Sequence, residues 1–144
     1  MSNLYDRYKR WLKISKDSLA EAGFDDAALD AAAFNAQQAM EFLLKYIMDC
    51  KNVPYHKTHN IRELLVGLRD SGFSFDNMDA AMREADRITS WEAGSRYGSG
   101  ATTVKGLIED SYKIIESIDT AWIEENKPTN KKKSVSDLLK DVEG

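Results

Sequence analysis

One part of the sequence, residues 33–45, carries the prediction of the fold and reads Ala33-Phe34-Asn35-Ala36-Gln37-Gln38-Ala39-Met40-Glu41-Phe42-Leu43-Leu44-Lys45. It lies inside a longer segment, residues 26–51, in which apolar side chains recur at the spacing of an α-helix. The main stripe consists of Leu29, Ala32, Ala33, Ala36, Met40, Leu43 and Ile47, and it is widened by Ala39, Phe42 and Tyr46. A helix that is apolar over most of its circumference is contacted by several neighbours, so this segment is predicted to be a central helix.

The segments on either side repeat with the same helical period, and none alternates as a strand does. The sequence predicts further helices over about 3–22, 60–71, 76–94 and 102–126. Asp25 or Asp26 is placed to cap the central helix, and Asn60 with Glu63 forms a predicted capping box for the next one. Gly94 is predicted to end the fourth helix. The expected fold is all-α, an antiparallel up-and-down bundle of four to five helices in residues 1–126.

The charge of the chain is unevenly distributed. The 144 residues carry a formal charge of −4, but residues 127–144 contain five Lys against three acidic residues, which leaves −6 for residues 1–126. Because phosphate neutralisation supplies most nucleic-acid affinity, an acidic bundle needs a local basic pocket or the tail to contact RNA. We interpret 127–144 as a basic and polar tail, flexible or forming a short partner-bound helix through Val135, Leu138, Leu139 and Val142.

Several features indicate the compartment. The single cysteine, Cys50, excludes an internal disulfide and fits a reducing environment. The first residues lack the apolar core of a secretion signal, and no apolar run approaches the roughly 20 residues of a membrane-spanning helix. We therefore expect a cytoplasmic protein that does not enter a membrane, and the sequence indicates no cofactor.

Three motifs carry a resemblance to a known family. Residues 33–45 resemble the second-helix signature of the HEPN family, and Lys57-Thr58-His59-Asn60-Ile61 is similar to the family's Thr-His-Asp-Leu entry to the next helix. Arg96-Tyr97 resembles the family's Arg-Tyr-Pro turn before the last long helix. Asn60 stands where the family usually has Asp, and Gly98 stands where it has Pro.

The resemblance implies a helical bundle that is commonly a homodimer, often encoded beside a minimal nucleotidyltransferase, with roles in binding nucleotide or RNA. One branch of the family consists of metal-independent ribonucleases in which a histidine follows an arginine by a few residues on one helix. Here the histidines are His56 and His59, and the nearest preceding arginine is Arg10, so the motif is absent. This favours a non-catalytic module that binds nucleotide, RNA or a nucleotidyltransferase-like partner, as one half of a toxin–antitoxin-like pair.

Two alternatives stay open from the sequence. The first is a metal-independent ribonuclease with a non-standard site, in which Arg96 supplies the cation and His59 carries the proton. The second is a purely structural dimerisation bundle, for which Phe34, Phe42 and Tyr46 are the candidate interface residues.

The predicted ligand-binding residues form two groups. Gln38, Glu41 and Lys45 make a polar line along the central helix, which is either an exposed strip or the wall of a polar pocket. Arg96 and Tyr97 could hold a phosphate and stack on a base, or they could anchor their loop with Arg96 paired to Glu41.

His59 completes the predicted set of ligand-binding residues. Together with His56, Cys50 and Asp49 it also suggests a zinc site. Structural zinc needs four closely spaced protein ligands, so we predict no metal. His59 is expected instead to pack or hydrogen-bond at the start of the third helix.

Overall fold

The computed structural model describes residues 3–23, 25–97 and 105–126, with the exception of the side chains of residues 93–97. These residues form five helices: α1 (Leu4–Ala22), α2 (Asp26–Cys50), α3 (Ile61–Asp70), α4 (Met78–Tyr97) and α5 (Lys105–Glu125). No strand occurs within the described ranges. The prediction of an all-α helical bundle is confirmed.

Helix α2 lies at the centre of the bundle, as its apolar circumference predicts. It contacts each of the other four helices, and its most extensive contact is with α1. Ala32, Ala33, Ala36 and Ala39 are at most 1% exposed. Their small side chains allow the neighbouring backbones to approach α2 closely. Around them lie the fully buried residues of the core, which include Met40, Leu43, Leu44, Ile47, Ile61, Leu64, Leu65, Leu68, Ile88 and Ile108.

The helix starts follow from local hydrogen bonding. Asp25, rather than Asp26, caps α2, because its carboxylate accepts from the backbone N–H groups of Ala27 at 2.9 Å and Ala28 at 3.3 Å. Asn60 caps α3, and its side-chain oxygen accepts from the N–H of Glu63 at 2.9 Å. The reciprocal half of the predicted capping box is wrong. The Asn60 N–H donates to Thr58 Oγ1 at 3.0 Å instead, and the Glu63 carboxylate faces His56 at 3.2 Å.

The prediction that Gly94 ends α4 is also wrong. The helix continues through Gly94 to Tyr97. Glycine weakens a helix by about 1 kcal/mol relative to alanine but does not forbid helical dihedral angles, so it need not stop one. The predicted start of α5 at Thr102 or Thr103 lies outside the described residues, as does the tail at 127–144.

None of the helices in the described ranges is long and apolar enough to cross a membrane.

Candidate functional site

A buried carboxylate on α2 brings together polar residues of this helix and of the loop before α3. Glu41 is 3% exposed, although it lies on a helix whose other buried side chains are mostly apolar. Its carboxylate accepts from Gln37 Nε2 at 2.9 Å and from Lys45 Nζ at 2.8 Å. His59, which precedes α3, places Nδ1 3.0 Å from Oε1 and 3.2 Å from Oε2 of the same carboxylate. We call Gln37, Glu41, Lys45 and His59 the Glu41 cluster.

These hydrogen bonds offset the free-energy cost of burying the charged Glu41 carboxylate. An unpaired buried carboxylate costs several kcal/mol in lost hydration, and the Glu41 cluster supplies donors to both of its oxygens. Lys45 neutralises the charge from a position that is 13% exposed, so the ion pair lies at the edge of the core. The exposed strip suggested by the sequence is therefore excluded, because Glu41 faces inward.

His59 contacts Glu41 through one ring nitrogen, Nδ1. An ionised carboxylate can only accept, so an ionised Glu41 would require a proton on this nitrogen. The His59 side chain is 59% exposed, which leaves the rest of the ring toward solvent. A histidine oriented by a carboxylate on one nitrogen can bind a ligand or exchange a proton through the other.

Gln37 is the member of the Glu41 cluster that sequence reasoning missed. The sequence prediction selected Gln38, which is only partly buried, whereas the amide that reaches Glu41 belongs to the fully buried Gln37. Gln37 precedes Glu41 by four residues and Lys45 follows it by four, so all three share one face of α2. The four-residue spacing of Gln37, Glu41 and Lys45 could have indicated this cluster. Because Gln37 and Gln38 are consecutive, however, the sequence did not show which of them faces inward.

One atom of the Glu41 cluster is unmatched. The Oε1 atom of Gln37 is buried and has no hydrogen-bond donor among the described residues. Buried polar atoms are rarely left without a partner, and each exception calls for an explanation. An N–H group from a ligand, from a partner or from a side chain outside the described residues would satisfy it.

The loop after α2 continues the site toward solvent. Residues 51–60 contain Lys51, His56, Lys57 and His59 and no acidic residue, in a bundle that is otherwise acidic. Lys45 Nζ lies 5.8 Å from the centroid of the Tyr55 ring, which joins this loop to the Glu41 cluster. Burial raises the pKa of the Tyr55 hydroxyl to about 12, and its hydrogen bond to Asp49 adds to the shift. Lys51 is paired with Glu125, and His56 faces Glu63. The exposed positive charge of the loop therefore comes from Lys57, on the same loop as the Tyr55 ring.

The remaining predicted residues are placed as follows. Arg96 and Tyr97 belong to the last turn of α4, not to a glycine-rich loop, and their side chains lie outside the described part of the structure. His56 and His59 do not converge, because His56 faces Glu63 and His59 faces Glu41. No group of three or more His, Cys, Asp or Glu side chains that could hold a metal ion occurs in the described ranges.

A second polar contact was also missed by the sequence analysis. Asp119 on α5 accepts from the Tyr5 hydroxyl at 2.8 Å and from the Tyr8 hydroxyl at 3.1 Å, which joins α5 to α1. Burial raises the pKa of both hydroxyls, and the negative charge of Asp119 adds to the shift. Nothing in the local sequence indicates this contact, because its partners are more than 100 residues apart.

The fold and the site together define the class of protein: a small all-α bundle in which the second helix and the entry to the third share a buried polar cluster. The model of one protein family, described as the HEPN domain, matches residues 8–143, nearly the whole chain. The chain belongs to the HEPN domain family. No curated protein and no solved structure matches the chain.

Proposed function

We propose that this chain is a HEPN module that binds a nucleotide or RNA without catalysing a reaction, at the Glu41 cluster and the loop 51–60. The observation that carries the proposal is the buried Glu41 carboxylate, which holds Lys45 and His59 in fixed positions beside a basic loop. A purely structural bundle has no evident use for a buried charge. Apolar residues of similar volume would stabilise such a position at least as well.

Electrostatics favour an anionic ligand at this end of the bundle. The ammonium group of Lys45 has three donors, and the hydrogen bond to Glu41 engages one of them. Lys57 and His56 lie on the same loop and are exposed. Phosphate groups bind where such donors converge, and the Tyr55 ring offers a surface on which a base can stack.

The unmatched Oε1 of Gln37 supports a ligand that also donates a hydrogen bond. The exocyclic amino group of a base is such a donor. Arg96 and Tyr97 stay in the proposal as binding residues that the family resemblance implies.

The proposal extends to partners. The family resemblance implies a nucleotidyltransferase-like partner, as in a toxin–antitoxin-like pair, and a homodimer in the cytoplasm. A partly apolar face of α1 and α2 supports the homodimer. Ile14 is 40% exposed there, and Trp11 packs edge-to-face on Phe34 with ring centroids 6.1 Å apart. Tyr46, the third predicted interface residue, packs inside the chain against Tyr5 and Trp122.

The test is a thermal-unfolding series with AMP, ATP and a short single-stranded RNA. A ligand that binds the folded state raises the unfolding midpoint. We expect the shift to fall strongly in Lys57→Glu, His59→Ala and Arg96→Ala and to persist in Lys113→Glu, a matched exposed lysine on α5. No shift with any of the three ligands would contradict the proposal, and so would an equal loss in Lys113→Glu.

The His59–Glu41 contact favours one second candidate, a metal-independent ribonuclease. A carboxylate that orients a histidine is the arrangement that many enzymes use to make imidazole a general base. Here the solvent-facing nitrogen of His59 would remove the proton of a ribose 2′-hydroxyl, and the 2′-oxygen would attack the phosphorus as the bond to the 5′-oxygen breaks. The leaving 5′-oxygen would take a proton from solvent, while Lys45 or Arg96 would stabilise charge on the phosphorus oxygens.

The two candidates are separated by incubating the pure protein with a labelled RNA that contains every dinucleotide step. The non-catalytic module leaves the RNA intact in the absence of metal. Cleavage that leaves 2′,3′-cyclic phosphate ends, and that is lost in His59→Ala but kept in His56→Ala, would establish the ribonuclease instead.

A further inference from the structure

A second surface, which shares no residue with the Glu41 cluster, lies between α1 and α5. It is a groove of about 430 Å³ whose lining consists of Tyr8, Leu12, Lys9, Lys13, Lys16 and Asp17 on α1 and Asp119 on α5. Its surface is mostly apolar, because lysine side chains contribute their methylene stems as well as their charges. Ile123, one helical turn beyond Asp119, is 48% exposed, so apolar surface continues from the groove toward the end of α5.

The groove is positively charged at its α1 edge. Lys9 Nζ lies 5.0 Å from the centroid of the Tyr5 ring, and Lys16 Nζ lies 5.5 Å from that of Tyr112. No carboxylate within the described ranges lies at ion-pair distance from either lysine. Lys13 is paired with Asp17 at 2.7 Å, and both side chains are exposed. The groove is thus suited to an occupant that is apolar on one face and acidic beside it.

The cavity on the other side of α5 has the opposite character. Its volume is about 420 Å³, and its lining includes Asp76, Glu116 and Glu124 and no basic residue. Two grooves of similar size therefore flank α5 with opposite charge. An acidic segment is expected to bind in the groove between α1 and α5 and not in the acidic cavity.

We propose that the groove between α1 and α5 is occupied by residues 135–143 of the same chain. This segment contains Val135, Leu138, Leu139 and Val142, at the spacing that places them on one side of a helix. Its charged residues are Asp137, Asp141 and Glu143 against Lys140, a net charge of −2. Both its apolar face and its charge complement the groove.

The lengths involved agree with this placement. Asp119 lies six residues before the end of α5, about 9 Å along the helix axis. Residues 127–134 can span up to about 27 Å, enough for the chain to turn back to the level of Asp119. The groove extends along α1 from Tyr8 to Asp17, about 14 Å, and a helix over residues 135–143 would have about the same length.

The direction of the chain also fits the charges. Helix α5 ends near the start of α1, because Asp119 contacts Tyr5 and Tyr8, so a segment that turns back from the end of α5 would follow the direction of α1. Asp137 and Asp141 are four residues apart, as are Lys9 and Lys13. Two parallel helices can therefore place each aspartate beside a lysine. The HEPN match, which extends to residue 143, is consistent with a tail that belongs to the domain.

The test measures intramolecular disulfide formation in the full-length protein, with Cys50→Ser to remove the natural thiol. One variant carries Lys13→Cys with Asp141→Cys, which joins the tail to the groove. The matched control carries Thr120→Cys with Asp141→Cys, which joins the same tail position to the acidic cavity. Under mild oxidation we expect the first pair to form a disulfide at least about tenfold faster, because docking raises its effective concentration.

Adding Leu138→Asp and Leu139→Asp to the first pair should reduce its rate to that of the control, while the circular dichroism of the bundle stays unchanged. Equal rates for the two pairs would overturn the proposal, since a free tail samples both sides. Faster closure of the Thr120 pair would overturn it in favour of the acidic cavity. Disulfide-linked dimers in place of the internal bond would overturn it by assigning the groove to a second copy.

Discussion

Nδ1 of His59 lies 3.0 Å from the Glu41 carboxylate, so a loop residue contacts a buried residue of α2 that precedes it by 18 positions. The contact holds the entry to α3 against α2. Because Lys45 contacts the same carboxylate, the two contacts together place Lys45 beside the loop 51–60. The stability and the proposed binding function therefore depend on the same carboxylate.

Glu41→Ala should destabilise the protein by about 2–4 kcal/mol, because Gln37 and Lys45 lose the partner that compensates their burial. The free energy of unfolding from urea titration measures this change. Glu84→Ala, which removes a surface carboxylate paired with Arg87 at 2.7 Å, is the control and should change stability by less than about 0.5 kcal/mol. Similar losses in the two variants would show that the buried cluster has no special structural role.

Stability should fall above pH 10, and the buried hydroxyl of Tyr8 should account for part of the fall. Burial raises the pKa of this hydroxyl above its ordinary value, so it stays protonated in the folded state while the unfolded chain releases its proton near pH 10. The stabilisation is therefore complete below pH 10 and is lost as pH rises, by up to about 1.4 kcal/mol per pH unit.

The comparison of wild type with Tyr8→Phe isolates this contribution. Unfolding free energies at pH 8, 10.5 and 11.5 should decline less steeply in Tyr8→Phe, although the variant starts lower because it lacks the hydrogen bond to Asp119. Ser71→Ala, which removes a hydrogen bond to the Leu68 carbonyl but no group that titrates in this range, is the control and should leave the slope unchanged. Parallel pH profiles for wild type and Tyr8→Phe would refute this explanation.

Asn60→Ala should cost about 1 kcal/mol, because the side chain that accepts from the Glu63 N–H is removed from the start of α3. Asn60→Asp should keep the full stability, since a carboxylate accepts the same bond and its charge suits a helix N-terminus. Urea titration gives the values, and amide exchange in the first turn of α3 shows where they arise. A loss in Asn60→Asp equal to that in Asn60→Ala would mean that the cap is not the cause.

Ile14→Asp should raise the dissociation constant of the proposed homodimer at least about tenfold, equivalent to about 1.4 kcal/mol. The charge would lie in the apolar face formed with Trp11 and Phe34. Sedimentation velocity over a concentration series measures the constant. Ile123→Asp is the matched control, because Ile123 is similarly exposed but lies on α5. An unchanged constant in Ile14→Asp would exclude this face from the interface.

Local sequence patterns were sufficient to predict the helices, the central position of α2 and the residues at which α2 and α3 begin. Helical periodicity and N-terminal caps depend on residues three or four positions apart, so local sequence contains the required information. Asp25 and Asn60 occupy their predicted capping positions for this reason. Gly94 shows the limit of such reasoning, because a glycine permits the end of a helix without requiring it.

The contacts between polar residues could not be predicted in this way, because they depend on how whole helices pack together. Gln37 and Gln38 are adjacent and chemically identical, and the packing of α2 against its neighbours determines which one is buried beside Glu41. The contact of Asp119 with Tyr5 and Tyr8 likewise depends on α5 returning to lie beside α1. Adjacent residues on a helix differ by about 100° in direction, so their surroundings are set by how whole helices are rotated and packed.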